Sequence, residues 1–179
     1  MKIAVLTIAF PELSETFVSR EVYALAARGH DVTVYTLRDP VGPPATPSTV
    51  PVRRWPKADE PIDVDVLYGS LGFPAHVRTA EIARRQHLKY LLRVWEGFDA
   101  FTAPNPTFYR SVAIDPHSLG VVVEDAWCQK YAREQMALPS TQVIPNGIDT
   151  TVFVPGPSRT DPLVILSVAR WVPKKGLIH

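Results

Sequence analysis

Apolar residues in this chain fall into short unbroken runs, and between the runs lie stretches where they recur every three or four positions. Ile3-Ala4-Val5-Leu6 is the first run; it lacks polar alternation, as a strand buried on both faces of a parallel sheet does. Phe10-Pro11 interrupts it. Ser14 offers an N-cap oxygen, with Glu15 in the first turn, where the helix dipole favours a negative charge. Val18, Val22, Leu25 and Ala26 then form one apolar helical face, and Gly29 suits the left-handed position that ends a helix. The run 31–36 (DVTVYT) is a second strand. Strand, helix and strand in so few residues predict a βαβ unit with a right-handed crossover.

The same alternation continues downstream. Seven prolines between Pro40 and Pro61 mark an extended surface connection, with one short edge strand around Val50 to Trp55. Asp65 to Tyr68 is the next strand, followed by the turn Gly69-Ser70-Leu71-Gly72 and a helix from Pro74, at its first position, to about Gln86. Leu88–Val94, Leu119–Val123 and Gln142–Ile144 read as further strands. Between the last two, residues 124–138 read as a helix with Trp127, Cys128, Tyr131 and Ala132 on one face. The fold class is therefore α/β, a doubly wound, Rossmann-like parallel sheet of six or seven strands. After Pro155 the pattern restarts. A linker at 156–160 leads to the apolar strand Pro162–Val168 and a basic turn, so residues 1–155 are expected to form one domain and 156–179 the linker and opening of a second.

Composition narrows the partners. Nineteen Lys and Arg against eighteen Asp and Glu give a net charge of +1, which argues against a nucleic-acid binder. The single Cys128 excludes an internal disulfide and fits a reducing, cytoplasmic setting; on its apolar face it reads as core. The N-terminal apolar run lacks a small-residue cleavage site before Glu12 and reads as a strand rather than a signal peptide.

In an open α/β sheet, ligands bind beyond the carboxyl ends of the strands, here residues 8–16, 69–73, 95–101 and 124–125. Neither a Gly-x-Gly-x-x-Gly fingerprint nor a P-loop occurs there. The five histidines, His76 among them, show no metal-ligand spacing and read as surface residues, so no metal is expected. Glu96-Gly97-Phe98-Asp99 places two carboxylates at the end of a buried strand, with a glycine that permits close approach. Such a pair hydrogen-bonds sugar hydroxyls or serves as general base; the alternative is that Asp99 or Asp115 caps a helix start. Arg170 and Lys175 follow an apolar strand and suit phosphate oxygens, or else are two solvated surface cations.

Three segments together resemble one family. Phe10-Pro11-Glu12-Leu13-Ser14-Glu15-Thr16-Phe17-Val18, with Glu21 and the run Ala27 to Val32, is similar to the N-terminal signature of family 4 glycosyltransferases of the GT-B fold, in the version found in exopolysaccharide and capsule enzymes. Val143 to Asp149, with Phe153 and Pro155, resembles the family's interdomain stretch, and Leu166 to Gly176 the first strand and loop of its donor domain. The resemblance implies retaining transfer of a sugar from a nucleotide-sugar donor to a saccharide or lipid-linked acceptor, without cofactor or metal. It implies Glu96 and Asp99 as catalytic residues, with Glu12, Ser14, Glu15, Thr16, Gly97 and Glu124 on the acceptor side. Arg170 and Lys175 would contact the donor diphosphate. It also implies a cytoplasmic protein with peripheral contact at the inner face of the membrane. The family's His-Gly-Tyr-Asp is here Glu96-Gly97-Phe98-Asp99, and its Glu-x7-Glu donor motif is not among these residues. A fragment inactive by itself is the first expectation; a non-catalytic acceptor-binding or scaffolding module of the same origin is the alternative.

Overall fold

A computed structural model describes residues 1–12, 15–39, 50–95, 106–156 and 168. The chain divides into one compact unit over Met1–Gly147 and a second over Ile148–His179. Unit one is a seven-stranded sheet in which every pairing is parallel. Its strands are β1 (Lys2–Thr7), β2 (Asp31–Thr36), β3 (Val52–Arg54), β4 (Val66–Gly69), β5 (Lys89–Arg93), β6 (Ser118–Val123) and β7 (Thr141–Val143). The described helices are α1 (Thr16–Ala27), α2 (Phe73–Gln86), α3 (Pro106–Ala113) and α4 (Ala126–Met136). The strand order is β3-β2-β1-β4-β5-β6-β7, so the chain first winds outward from β1 and then, from β4, in the opposite direction. The sheet is doubly wound and Rossmann-like, as the alternating pattern predicts.

Right-handed crossovers make this order fix the layers. Winding toward β2 puts α1 on one face, where Val18 and Val22 pack against Ile3, Val5, Val32 and Val34. Winding the other way puts α2, α3 and α4 on the opposite face, over Ala4, Leu6, Leu67, Leu92 and Val123. Alternate residues of β1 thus serve two cores, which is why its sequence shows no polar alternation. Helix α2 approaches β4 closely because Gly69 has no side chain; a Cβ there would stand 2.8 Å from both Thr79 Oγ1 and Leu92 Cδ2.

Several local expectations shift. Helix α1 starts at Thr16, so the cap position is Glu15 rather than Ser14, and Glu15 is outside the first turn. Its end is a Schellman motif, as Gly29 foretold: Gly29, at φ +83, donates to Ala26 O, and His30 N–H reaches Leu25 O. Pro74 occupies the second helical position, after Phe73. In α4 the buried face is Cys128, Ala132 and Met136, at steps of four, while Trp127 is 54% exposed and lies stacked on Tyr131. Helix α3 is an element that the apolar pattern does not single out. Its signal is short: Pro106 at the start, then Tyr109, Val112 and Ala113 at i, i+3 and i+4. The strand expected at 162–168 lies, but for Val168, outside the described residues.

Candidate functional site at the strand ends

Because every pairing is parallel, all the carboxyl ends share one rim, and the described helices begin there. The sheet reverses its winding between β1 and β4, which opens a crevice between the segments that follow them. One wall is Ile8 to Glu12, which includes a cis Phe10-Pro11 bond, together with the start of α1. The other is Ser70-Leu71-Gly72. Gly72 takes φ +89, and a Cβ there would lie 2.9 Å from Ile8 Cγ1, so the two walls touch at its floor.

The sequence-predicted residues distribute as follows. Glu12, Glu15 and Thr16 lie together on the first wall; Glu15 N–H donates to Glu12 O, and Glu15 O receives Val18 N–H. Phe17 packs on Trp95, ring centroids 4.6 Å apart, which brings the exit of β5 alongside the start of α1. Glu124 follows β6, three strands and about 14 Å along the rim from β1. It accepts a 3.3 Å hydrogen bond from Asn146 Nδ2, and burial, followed by repulsion from Asp125, outweighs that bond and Arg93 in raising its carboxyl above the usual range. Ser14, Glu96, Gly97, Asp99, Arg170 and Lys175 lie outside the described residues. Asp115 does not cap a helix start: it follows α3, accepts His117 N–H, and binds Arg84 and Tyr90. Asp125, by contrast, caps α4 by accepting Cys128 N–H at 2.7 Å. Beside that carboxylate, burial pushes the Cys128 thiol up to about 11.

The framework behind the rim was not foreseen. Arg93, the last residue of β5, is 2% exposed. Its Nη2 donates to Ile144 O at 2.8 Å, its Nη1 lies 3.9 Å from Glu21 Oε1, and its guanidinium sits 4.0 Å over the Trp95 ring. Glu21 also accepts from Tyr68 Oη at 2.7 Å; burial nevertheless raises the Glu21 carboxyl above its ordinary range. Trp95 Nε1 donates to Ser70 Oγ. Arg93 thus joins α1, β5 and the exit of β7, and Trp95 joins the exits of β4 and β5. On the sheet face beneath α1, Glu21, Tyr68 and Arg93 also border an otherwise apolar cavity of about 270 Å³. Their polar atoms there are largely turned to one another.

His76, expected at the surface, is 2% exposed. It shares a stripe with Thr79, Ala80 and Ala83, at i, i+3, i+4 and i+7, all buried; that spacing was the signal available in the sequence. Among the described residues, no three His, Cys, Asp or Glu side chains group to hold a metal ion.

No family model and no curated protein sequence matches the chain. Among solved structures it is similar to Anabaena HepE (Alr3699), crystallised in complex with UDP-glucose, with a TM-score of 0.59 at 16% identity over 88% of this chain. A second structure, MT0777, is 12% identical, with a TM-score of 0.38 over 81% of this chain and 86% of its own. The chain spans about half of HepE, 47% of its length. What it shares with HepE is the fold, a doubly wound α/β sheet of Rossmann-like type.

Proposed function

We propose that this chain is the acceptor-side part of a nucleotide-sugar-dependent glycosyltransferase of GT-B type and of the family 4 kind. It would transfer a glycosyl group, with retention, to a saccharide or lipid-linked acceptor in exopolysaccharide or capsule assembly at the inner membrane face. The observation that carries this reading is the position of the Phe10–Phe17 segment. Its described residues, Phe10–Glu12 and Glu15–Phe17, stand at the winding reversal, where an open α/β sheet takes its ligand. The fold shared with a protein crystallised with UDP-glucose supports it.

In this reading Glu12, Ser14, Glu15, Thr16 and Gly97 line the acceptor side of the crevice, and Glu124 lies farther along the rim. Glu96 and Asp99 handle the acceptor hydroxyl: a carboxylate that takes its proton as the new bond forms makes the oxygen a competent nucleophile. Arg170 and Lys175 meet the negative charge that develops on the departing diphosphate. Residues 1–155 act as the acceptor domain and 156 onward opens the donor domain. Transfer requires donor and acceptor held together, an advantage of up to about 7–11 kcal/mol, so this chain alone turns over little or no nucleotide sugar.

The test is nucleotide release from a panel of UDP- and GDP-sugars, with and without a separately supplied donor domain. Release only when both are present supports the proposal. Robust release by this chain alone, lost in Glu96→Ala, overturns the division of labour. The carboxylate at position 96, where the family carries histidine, favours a second reading as a binding module without transfer. Saccharide binding with no release in any combination would establish it.

A further inference from the structure

The backbone ladder between β4 and β5 ends at the pair Gly69 and Leu92. One residue further on, the carbonyls of Ser70 and Arg93 are both met by one side chain. His76 Nε2 lies 2.7 Å from Ser70 O and 3.0 Å from Arg93 O, while His76 Nδ1 lies 2.8 Å from Tyr109 Oη. Carbonyl oxygens only accept, so Nε2 carries the proton and shares it between them. Nδ1 then accepts from the Tyr109 hydroxyl. The chemistry of the partners leaves one tautomer.

We propose that His76 is a positioning residue. Its Nε2–H ties the exits of β4 and β5 together and so sets the crevice wall and the course of the chain through Val94 and Trp95. Two links extend its reach. Ser70 Oγ accepts from Trp95 Nε1, which fixes the ring that packs on Phe17 at the start of α1. The residue whose carbonyl His76 holds, Arg93, reaches with its side chain to Ile144 O at the exit of β7. One imidazole in α2 therefore registers the rim segments that follow β4, β5 and β7, with Tyr109 of α3 as its backstop. An apolar side chain of equal volume would fill the space and take this shared donor away from both carbonyls. Among the described residues, the titratable or charged groups nearby are Tyr109, which contacts the ring directly, and Arg93, whose guanidinium is turned away toward Glu21. Burial also holds the imidazole below its ordinary pKa, in keeping with a neutral ring.

That His76 serves transfer rests on the proposed function; that it ties the rim together does not, and the experiment separates the two. Nitrogen NMR of the wild-type imidazole near neutral pH should give one neutral tautomer, protonated on Nε2. A proton on Nδ1, or signals averaged between the two tautomers, would overturn the proposal. His76→Gln keeps an N–H directed at the carbonyls, whereas His76→Leu does not. In His76→Leu the Trp95 indole N–H resonance should move, and hydrogen exchange around 70–72 and 94–95 should quicken at least tenfold more than in β1 and β2. His76→Gln should largely restore both. Uniform acceleration across the sheet in His76→Leu means plain core packing and overturns the proposal. Should His76→Leu fail to fold, Tyr109→Phe removes only the hydroxyl that fixes the tautomer and should produce a smaller shift of the same indole signal; no shift counts against the clamp. With the donor half supplied, His76→Gln should raise KM for acceptor more than it lowers kcat. Absence of transfer in the wild type removes the functional reading and leaves the NMR result to decide the clamp.

Discussion

Replacing Arg93 by Met probes the least expected part of the framework, a guanidinium buried at 2% exposure. The substitution keeps the volume and removes three interactions. The hydrogen bond to Ile144 O, from a charged donor, is worth about 1.5–3 kcal/mol. Stacking on Trp95 adds about 0.5–2 kcal/mol. Attraction to Glu21 across 3.9 Å is about 4 kcal/mol at an effective dielectric constant of 20, but desolvation of the buried guanidinium, several kcal/mol, offsets it. The net expectation is a loss of about 2–4 kcal/mol near pH 7, read from urea unfolding at unchanged m. The loss should depend on pH in a definite direction. Glu21 is raised in the folded protein, first by burial, against the lowering influences of Tyr68 and Arg93. A raised carboxyl contributes fully below its unfolded pKa, and that contribution is lost as pH climbs through the folded value. Without Arg93 the carboxyl rises further, so Arg93→Met should cost more near pH 7 than near pH 4. Glu21→Gln in the same chain should erase that difference. Equal costs at both pH values, or strictly additive effects of the two substitutions, would refute the coupling drawn here.

Gly120 sits at φ +117 with Ser140 O only 2.2 Å from where a Cβ would stand; Gly120→Ala should therefore destabilise by at least about 2 kcal/mol, seen as a lowered Tm. Wild-type stability would contradict the strain. For Asp115, burial pulls the carboxyl up, but His117 N–H, Arg84 and Tyr90 outweigh it and hold it below the usual range. Its contribution is thus present above the unfolded pKa and lost as pH falls through the folded value, so Asp115→Asn should weaken the protein near pH 7 by about 1–3 kcal/mol and by less in acid. Cys128, with its thiol pushed up to about 11 and its side chain in the core, should react with a thiol reagent at pH 8 only as fast as the chain opens, and rapidly in denaturant.

The strands and α1, α2 and α4 were legible because each follows one rule of spacing: unbroken apolar runs for strands buried on both faces, steps of three and four for helices. β3 was legible through its prolines, which confine a strand to an edge. α3 was not, since its two turns carry only three well-spaced apolar positions behind an undistinguished Pro106. Of the candidate site, the rim as a place follows from parallel alternation alone. The side chains behind it do not. The spacing of Thr79, Ala80 and Ala83 marks His76 as buried, but the partners of His76 and Arg93 emerge only when the sheet order places Ser70 O, Ile144 O and Glu21 around them. Those partners lie 6, 51 and 72 positions away in sequence, where spacing carries no signal.

Among the described residues, the sheet begins and ends on its shortest strands: β3 and β7 have three residues each, while β1, β2 and β6 have six. β3 reads Val-Arg-Arg and is exposed throughout. A row of unpaired N–H and C=O groups is a template on which another chain can add a strand, and its danger grows with its length and flatness. Here that template is cut to a few groups at either border, and one border carries two arginines, Arg53 and Arg54, the second paired with Asp39; charged side chains on an edge strand hinder the pairing of another strand. The long strands, whose unbroken apolar runs make them prone to aggregate, are shut inside. Edge-to-edge growth into fibrils is disfavoured by the order in which the strands are laid down.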